Sequence, residues 1–204
     1  MATETASSSK RLPARARREQ ILDVTAGIVT REGFQAVTIQ AVAAAAGISR
    51  PIVYEHFGDI DGLLDALVKR EMAAAMDQVS QTRLRDLSEG EPAELMLESL
   101  SLFLGAVERH PETWRLVLMP SAGAPPSLRQ SIELGRASVL EGLAHSVRKG
   151  LKPGGADPPD AELTASILSA ISDEYGRLVL SDPKRYSPER LLAHARWLVE
   201  HLAT

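Results

Sequence analysis

The sequence predicts an all-α fold, with a small N-terminal three-helix domain followed by a larger helical domain. Three observations predict it. Apolar residues recur at helical spacing from Arg15 onward. No stretch of useful length alternates apolar and polar residues as a half-buried strand would. The breaks between periodic segments, "HPE", "MPSAGAPP", "KPGGADPPD" and "SDPKRYSPE", are rich in turn residues.

The elements follow in order. Ile21, Val24 and Ile28 share a face of the first helix, and Gly33 stands where a C-cap glycine would. Thr38 can cap a second helix in which Ile39, Val42 and Ala46 line up, with alanines thin enough for another backbone to come close. Gly47 supplies a sharp turn. Ser49 is placed to cap a third helix, and Pro51 is tolerated in its first turn. Val53 and Phe57, four apart, point to the core, which leaves Arg50, Pro51, Ile52, Tyr54, Glu55 and His56 outside. A long fourth helix begins near Ile60. Further helices are expected over residues 92–109, 111–118, 127–149, 160–180 and 187–201.

Composition bounds the function. The chain has 204 residues, 44% of them hydrophobic, enough to bury a sizeable core. It has no cysteine, so thiol nucleophiles, thiolate metal sites and disulfides are excluded, and a cytoplasmic setting is expected. A net charge of −4 argues against a basic coat but leaves a local basic patch open. The N-terminal segment carries positive charge with no apolar run behind it, so neither a signal peptide nor a membrane span is expected. HExxH, G-x-S-x-G, P-loop and GxGxxG motifs are all absent, and the five histidines are scattered. No catalytic site, metal or cofactor is expected.

Helix, tight glycine turn and a second helix that exposes Arg, Tyr and His form a helix-turn-helix, which offers its second helix to the major groove. The segment "ILDVTAGIVTREGFQAVTIQAVAAAAGISRPIVYEHF", with the following "LLDAL", closely resembles the N-terminal domain of the TetR family of transcriptional regulators. The resemblance runs from about Arg17 to Leu67. It implies that Thr38, Tyr54 and His56 meet phosphates while Arg50, Pro51 and Ile52 face base edges. The chemistry agrees, since arginine grips guanine bidentately and Pro or Ile packs on a thymine methyl. Ser49 at the start of that helix completes the expected contacts, with Arg17 from the basic group Lys10, Arg11, Arg15, Arg17 and Arg18. The family usually has a lysine where Ile60 stands, which removes one phosphate contact.

Small polar residues with nothing to bury predict a disordered basic arm over 1–12, and the resemblance further implies a DNA-binding domain over 13–59 and an effector-binding and dimerisation domain over 60–204. The implied partners are double-stranded DNA with a near-palindromic operator, a second copy of the chain, and a small apolar or aromatic effector that releases a repressor from DNA. A DNA-binding regulator or architectural protein without an effector is the alternative. Phe103, Trp114, Met119, Leu134, Ser138 and Tyr175 are the candidate ligand contacts, being the few aromatics, apolar neighbours and a polar anchor. The stripes Leu163, Ile167, Leu178 and Leu191, Ala195, Leu198, Leu202 suit a four-helix dimer seam, and equally the chain's own core.

Overall fold

The computed structural model describes residues 12–81, 91–121, 123–150 and 160–202. Among them are nine α-helices, one 3-10 turn and no strand. The helices are α1 (Ala14–Glu32), α2 (Ile39–Ala46), α3 (Arg50–Phe57), α4 (Ile60–Gln81), α5 (Pro92–Arg109), α6 (Pro111–Leu118), α7 (Pro126–Gly150), α8 (Ala161–Ser181) and α9 (Pro188–Leu202). The expected arm over 1–12 falls outside the described residues except at its end. So do the fourth helix beyond Gln81, nearly all of the "KPGGADPPD" break and the Leu202 side chain. The chain divides into two compact units, 1–67 and 68–204, with the division inside α4.

In the first unit α1 packs on α2, and α2 on α3. Ile21, Ile28, Val42, Val53, Leu63 and Leu67 are buried at its centre. Thr25 is buried among them at no polar cost, because its hydroxyl donates to the Ile21 carbonyl at 2.7 Å. Gly33 ends α1 at φ 83°, and the chain then makes a 3-10 turn at Phe34–Ala36 that the sequence pattern did not announce. That turn seats the Phe34 ring in the core.

In the second unit α5 lies against α8 and α9, while α6 and α7 both pack on α8. Phe103, Leu104, Val107, Trp114, Tyr175, Val179, Leu191 and Ala195 belong to one buried cluster. Phe103 and Trp114 meet edge to face, with centroids 5.0 Å apart. Gly176 permits the close approach of α8: a Cβ there would stand 2.6 Å from Leu118 Cδ1. Two hydrogen bonds tie α6 to α4. The Thr113 hydroxyl donates to buried Glu71 at 2.5 Å, and the Trp114 indole donates to Gln78 Oε1 at 2.8 Å.

Candidate nucleic-acid interface and ligand cavity

The helix-turn-helix is held by caps and by two long side chains of α1. Thr38 Oγ1 accepts the Ala41 N–H at 3.0 Å and starts α2. Gly47 ends it in the left-handed conformation, φ 63° and ψ 35°, and the Gly47 and Ile48 N–H groups close back on the Ala44 and Ala43 carbonyls. Ser49 sits at the N-cap of α3 with extended backbone, yet its hydroxyl makes no capping bond, contrary to expectation. The reason is local. Pro51, two residues on, has no N–H to offer, and the Ile52 N–H is taken by the Ser49 carbonyl at 3.1 Å. The Ser49 hydroxyl is thereby left for another partner.

Val53 is fully buried, whereas Ser49, Arg50, Pro51, Tyr54 and Glu55 are exposed, and Ile52, His56 and Phe57 are half-buried. The outer face of α3 therefore presents one guanidinium, one phenol, one hydroxyl, one carboxylate and an apolar edge. Arg17 donates to Gln20 Oε1 at 2.6 Å, and Gln20 in turn donates to the Ala46 carbonyl at the end of α2. Arg18 does something the sequence did not suggest. It donates to the His56 carbonyl at 2.6 Å, and its guanidinium carbon lies 4.2 Å from the Phe57 ring centroid. A residue counted with the basic arm thus clamps the carboxyl end of α3, where a cation also suits the helix dipole. Asp59 accepts the Gly62 N–H at 2.7 Å and so caps the start of α4.

Within the second unit lies a cavity of about 820 Å³, a volume suited to a small organic ligand. Phe103, Trp114, Ser138 and Tyr175 line it, as expected. Met119 and Leu134 do not: both are among the exposed apolar residues. Nearness in sequence does not bring them to the lining, and each stands on the outward side of its segment. The fully buried part of the lining, including Met72, Leu97, Leu118 and Ala195, is apolar. Its two polar handles are engaged elsewhere, Trp114 with Gln78, and the Tyr175 hydroxyl with His194 Nδ1 at 2.8 Å. Gly142 borders open space. The charged lining is more accessible: Arg136, Glu141 and Arg148 are exposed, and Asp173 is half-buried. Arg136 donates to Asp173 Oδ2 at 2.6 Å across α7 and α8. Burial holds the Asp173 carboxyl above its ordinary value of 3.8, outweighing the opposite pull of Arg136 and Arg177.

Neither of the two expected dimer stripes is exposed along its whole length. Leu163 and Ile167 are exposed on α8, with Ile171 beside them. Leu178, near the carboxyl end of α8, packs against the core instead, although it lies on the same side of the helix as Ile167 and Ile171. On α9 Leu191 and Ala195 are buried in the chain's own core, and Leu198 is half-buried on the cavity wall, so this face is not the outward one. The outward face of α9 carries His194, Trp197 and His201, whose rings stack in a row. Among the described residues no group of three or more His, Asp or Glu could hold a metal, and no helix is long and apolar enough to cross a membrane.

Comparison with known proteins points the same way. Residues 21–67 match the model for bacterial regulatory proteins of the tetR family. The chain is 33% identical over 160 residues to the HTH-type transcriptional regulator BetI of Proteus mirabilis, across 77% of this chain and 76% of that one. The match to BetI of Serratia proteamaculans is shorter and spans 38% of that protein's length, at 35% identity. Among solved structures, a TetR-like transcriptional regulator from Rhodococcus sp. RHA1 superposes with a TM-score of 0.72 at 25% identity, over 92% of this chain and 97% of that one. A transcriptional regulator from Saccharomonospora viridis in complex with choline has the same fold, with a TM-score of 0.69 at 24% identity over 93% and 97% of the two chains.

Proposed function

The chain belongs to the TetR family of transcriptional regulators, and from that premise we propose that it is a dimeric repressor that a small, largely apolar ligand releases from its operator. One observation carries the effector half of this reading: the cavity of about 820 Å³ whose buried lining is apolar and aromatic. A cavity of that size, apolar in its buried part and set among helices of 18 to 25 residues, is not what tight core packing leaves behind.

The DNA half rests on the outer face of α3. Arg50, Pro51 and Ile52 are assigned to base edges, and Thr38, Ser49, Tyr54 and His56 to the backbone. Arg17 belongs with these backbone contacts, although it shares its guanidinium with Gln20. Dimerisation is assigned to the exposed apolar face of α8 with the outward face of α9. By linkage, an effector that lowers DNA affinity binds the DNA-free form more tightly, by a coupling of typically ~1 to 3 kcal/mol.

The test is selection of binding sites from a randomised DNA library. If Arg50 reads guanine, Arg50→Ala costs about 1 to 3 kcal/mol on the selected site and flattens preference at one base position per half-site. Tyr54→Phe removes one uncharged phosphate contact and weakens all sequences alike. A uniform loss from Arg50→Ala, with preference intact, would move Arg50 to the phosphate contacts and pass base reading to Pro51, Ile52 and Glu55.

A further inference from the structure

We propose that the ligand of this cavity is an uncharged amphiphile: an apolar body joined to a neutral head group that carries a hydrogen-bond acceptor beside a donor, as a carboxamide does. This inference rests on reading the cavity as the effector site and adds the chemical class.

The argument starts from the distribution of charge. Every fully buried lining residue is apolar or has its polar atom bonded away from the chamber, so a polar group driven into that part would be stranded. The ligand's bulk is therefore apolar. Polar recognition is confined to the accessible part of the lining, where Arg136 and Arg148 stand against Glu141 and Asp173, with His145 and several serines beside them.

Arg136 and Asp173 are the pair placed to read a head group. They bridge α7 and α8, which pack on each other, and only one of the five guanidinium donors and one of the carboxylate oxygens are spent on the other partner. What they offer a ligand is thus a donor and an acceptor side by side with no net charge. A carboxylate head would meet Asp173, and an ammonium head would meet Arg136. Either would bring a charge into a half-buried site whose own charges already cancel. An amide satisfies both, its carbonyl accepting from Arg136 and its N–H donating to Asp173. A wrong head group leaves the half-buried Asp173 carboxylate or the Arg136 guanidinium facing it without a partner, which lowers its affinity.

The experiment titrates the full-length protein with three probes of equal chain length, decanamide, decanoate and decyltrimethylammonium, by calorimetry. Decanamide is expected to bind at least about ten-fold more tightly than either ion, a difference of ~1.4 kcal/mol. Two variants then move the preference in opposite directions. Asp173→Asn leaves Arg136 an unpaired cation and raises the affinity for decanoate relative to decanamide. Arg136→Gln does the same for decyltrimethylammonium. If an ion binds the unaltered protein as tightly as the amide, or if neither variant shifts the ranking, the inference is overturned while the cavity remains an effector site. If none of the three probes binds at all, the reading of the cavity as an effector site fails with it.

Discussion

Asp173 is the residue whose energetics least resemble those of a structural ion pair. A salt bridge that stabilises a fold lowers the pKa of its carboxylate, but here burial outweighs Arg136 and Arg177 and the pKa is raised. The folded chain then binds the Asp173 proton more readily than the unfolded chain. Its contribution to stability is present below the ordinary value of 3.8 and is lost as pH rises through the higher folded value. Above that value the ionised group is a net cost to the fold. Asp173→Asn is therefore expected to be as stable as the parent at pH 7, or more so by less than about 1 kcal/mol, since Arg136 can be solvated in its place. The gap in favour of the variant should open between about pH 4 and the folded pKa and stay level above it. Urea denaturation at a series of pH values checks this, and a variant that loses ground as pH rises would show the pair to be structural. Sequence reading did not single out Asp173, because an aspartate at a helical position beside Glu174 looks like ordinary solvated charge.

At the scale of elements, the chain was readable wherever one local rule decided the outcome. Thr38 at an N-cap, Gly47 in a left-handed turn and Gly33 past a helix end each follow from backbone chemistry within four residues, and the helix ends came out within about one residue of expectation. The readings that missed turn either on a local detail or on a long-range contact. The Ser49 cap fails because two nearby donors are unavailable, and Arg18 was grouped with a basic arm because nothing in its neighbourhood announces a partner thirty-eight residues away. Phe103, Trp114 and Tyr175 stand out in the sequence because large aromatics are few here, and they line the cavity, whereas proximity in sequence does not place Leu134 there. The Arg18 clamp gives a prediction at this scale. Arg18→Ala removes a charged hydrogen bond to the end of α3 and the stacking on Phe57, at a cost of about 1.5 to 3 kcal/mol. The loss should appear as lower stability of the helix-turn-helix and an equal weakening on all DNA sequences. Increased exposure of α3 amides to hydrogen exchange would be the direct sign. Unchanged stability with a shallower salt dependence of DNA binding would return Arg18 to the phosphate contacts.

For the whole molecule the question is which surface joins two copies, since one recognition helix covers a single half-site and a near-palindromic operator calls for two, spaced by about one helical turn of ~34 to 36 Å or a multiple of it. Isolated exposed leucines need no explanation, but Leu163 and Ile167 lie together on α8, 57% and 53% exposed, and Ile171, which also borders the cavity, continues the row at 40%. Trp197, half exposed between His194 and His201 on α9, supplies an aromatic anchor of the kind that dominates interfaces. Ile167→Glu places a carboxylate in the middle of that row and leaves the core untouched. If the row is the seam, burying the unpaired charge costs about 3 kcal/mol or more, so dimer dissociation should rise by ~100-fold or more while the monomer keeps its fold. Light scattering at micromolar concentration should then report a monomer with an unaltered helical circular dichroism spectrum, and binding to the full operator should fall towards that of one half-site. Leu191→Glu is the contrasting variant. Its side chain is 5% exposed within the core cluster, so it should unfold the second unit rather than split a dimer. An Ile167→Glu protein that remains dimeric would place the seam elsewhere on the chain.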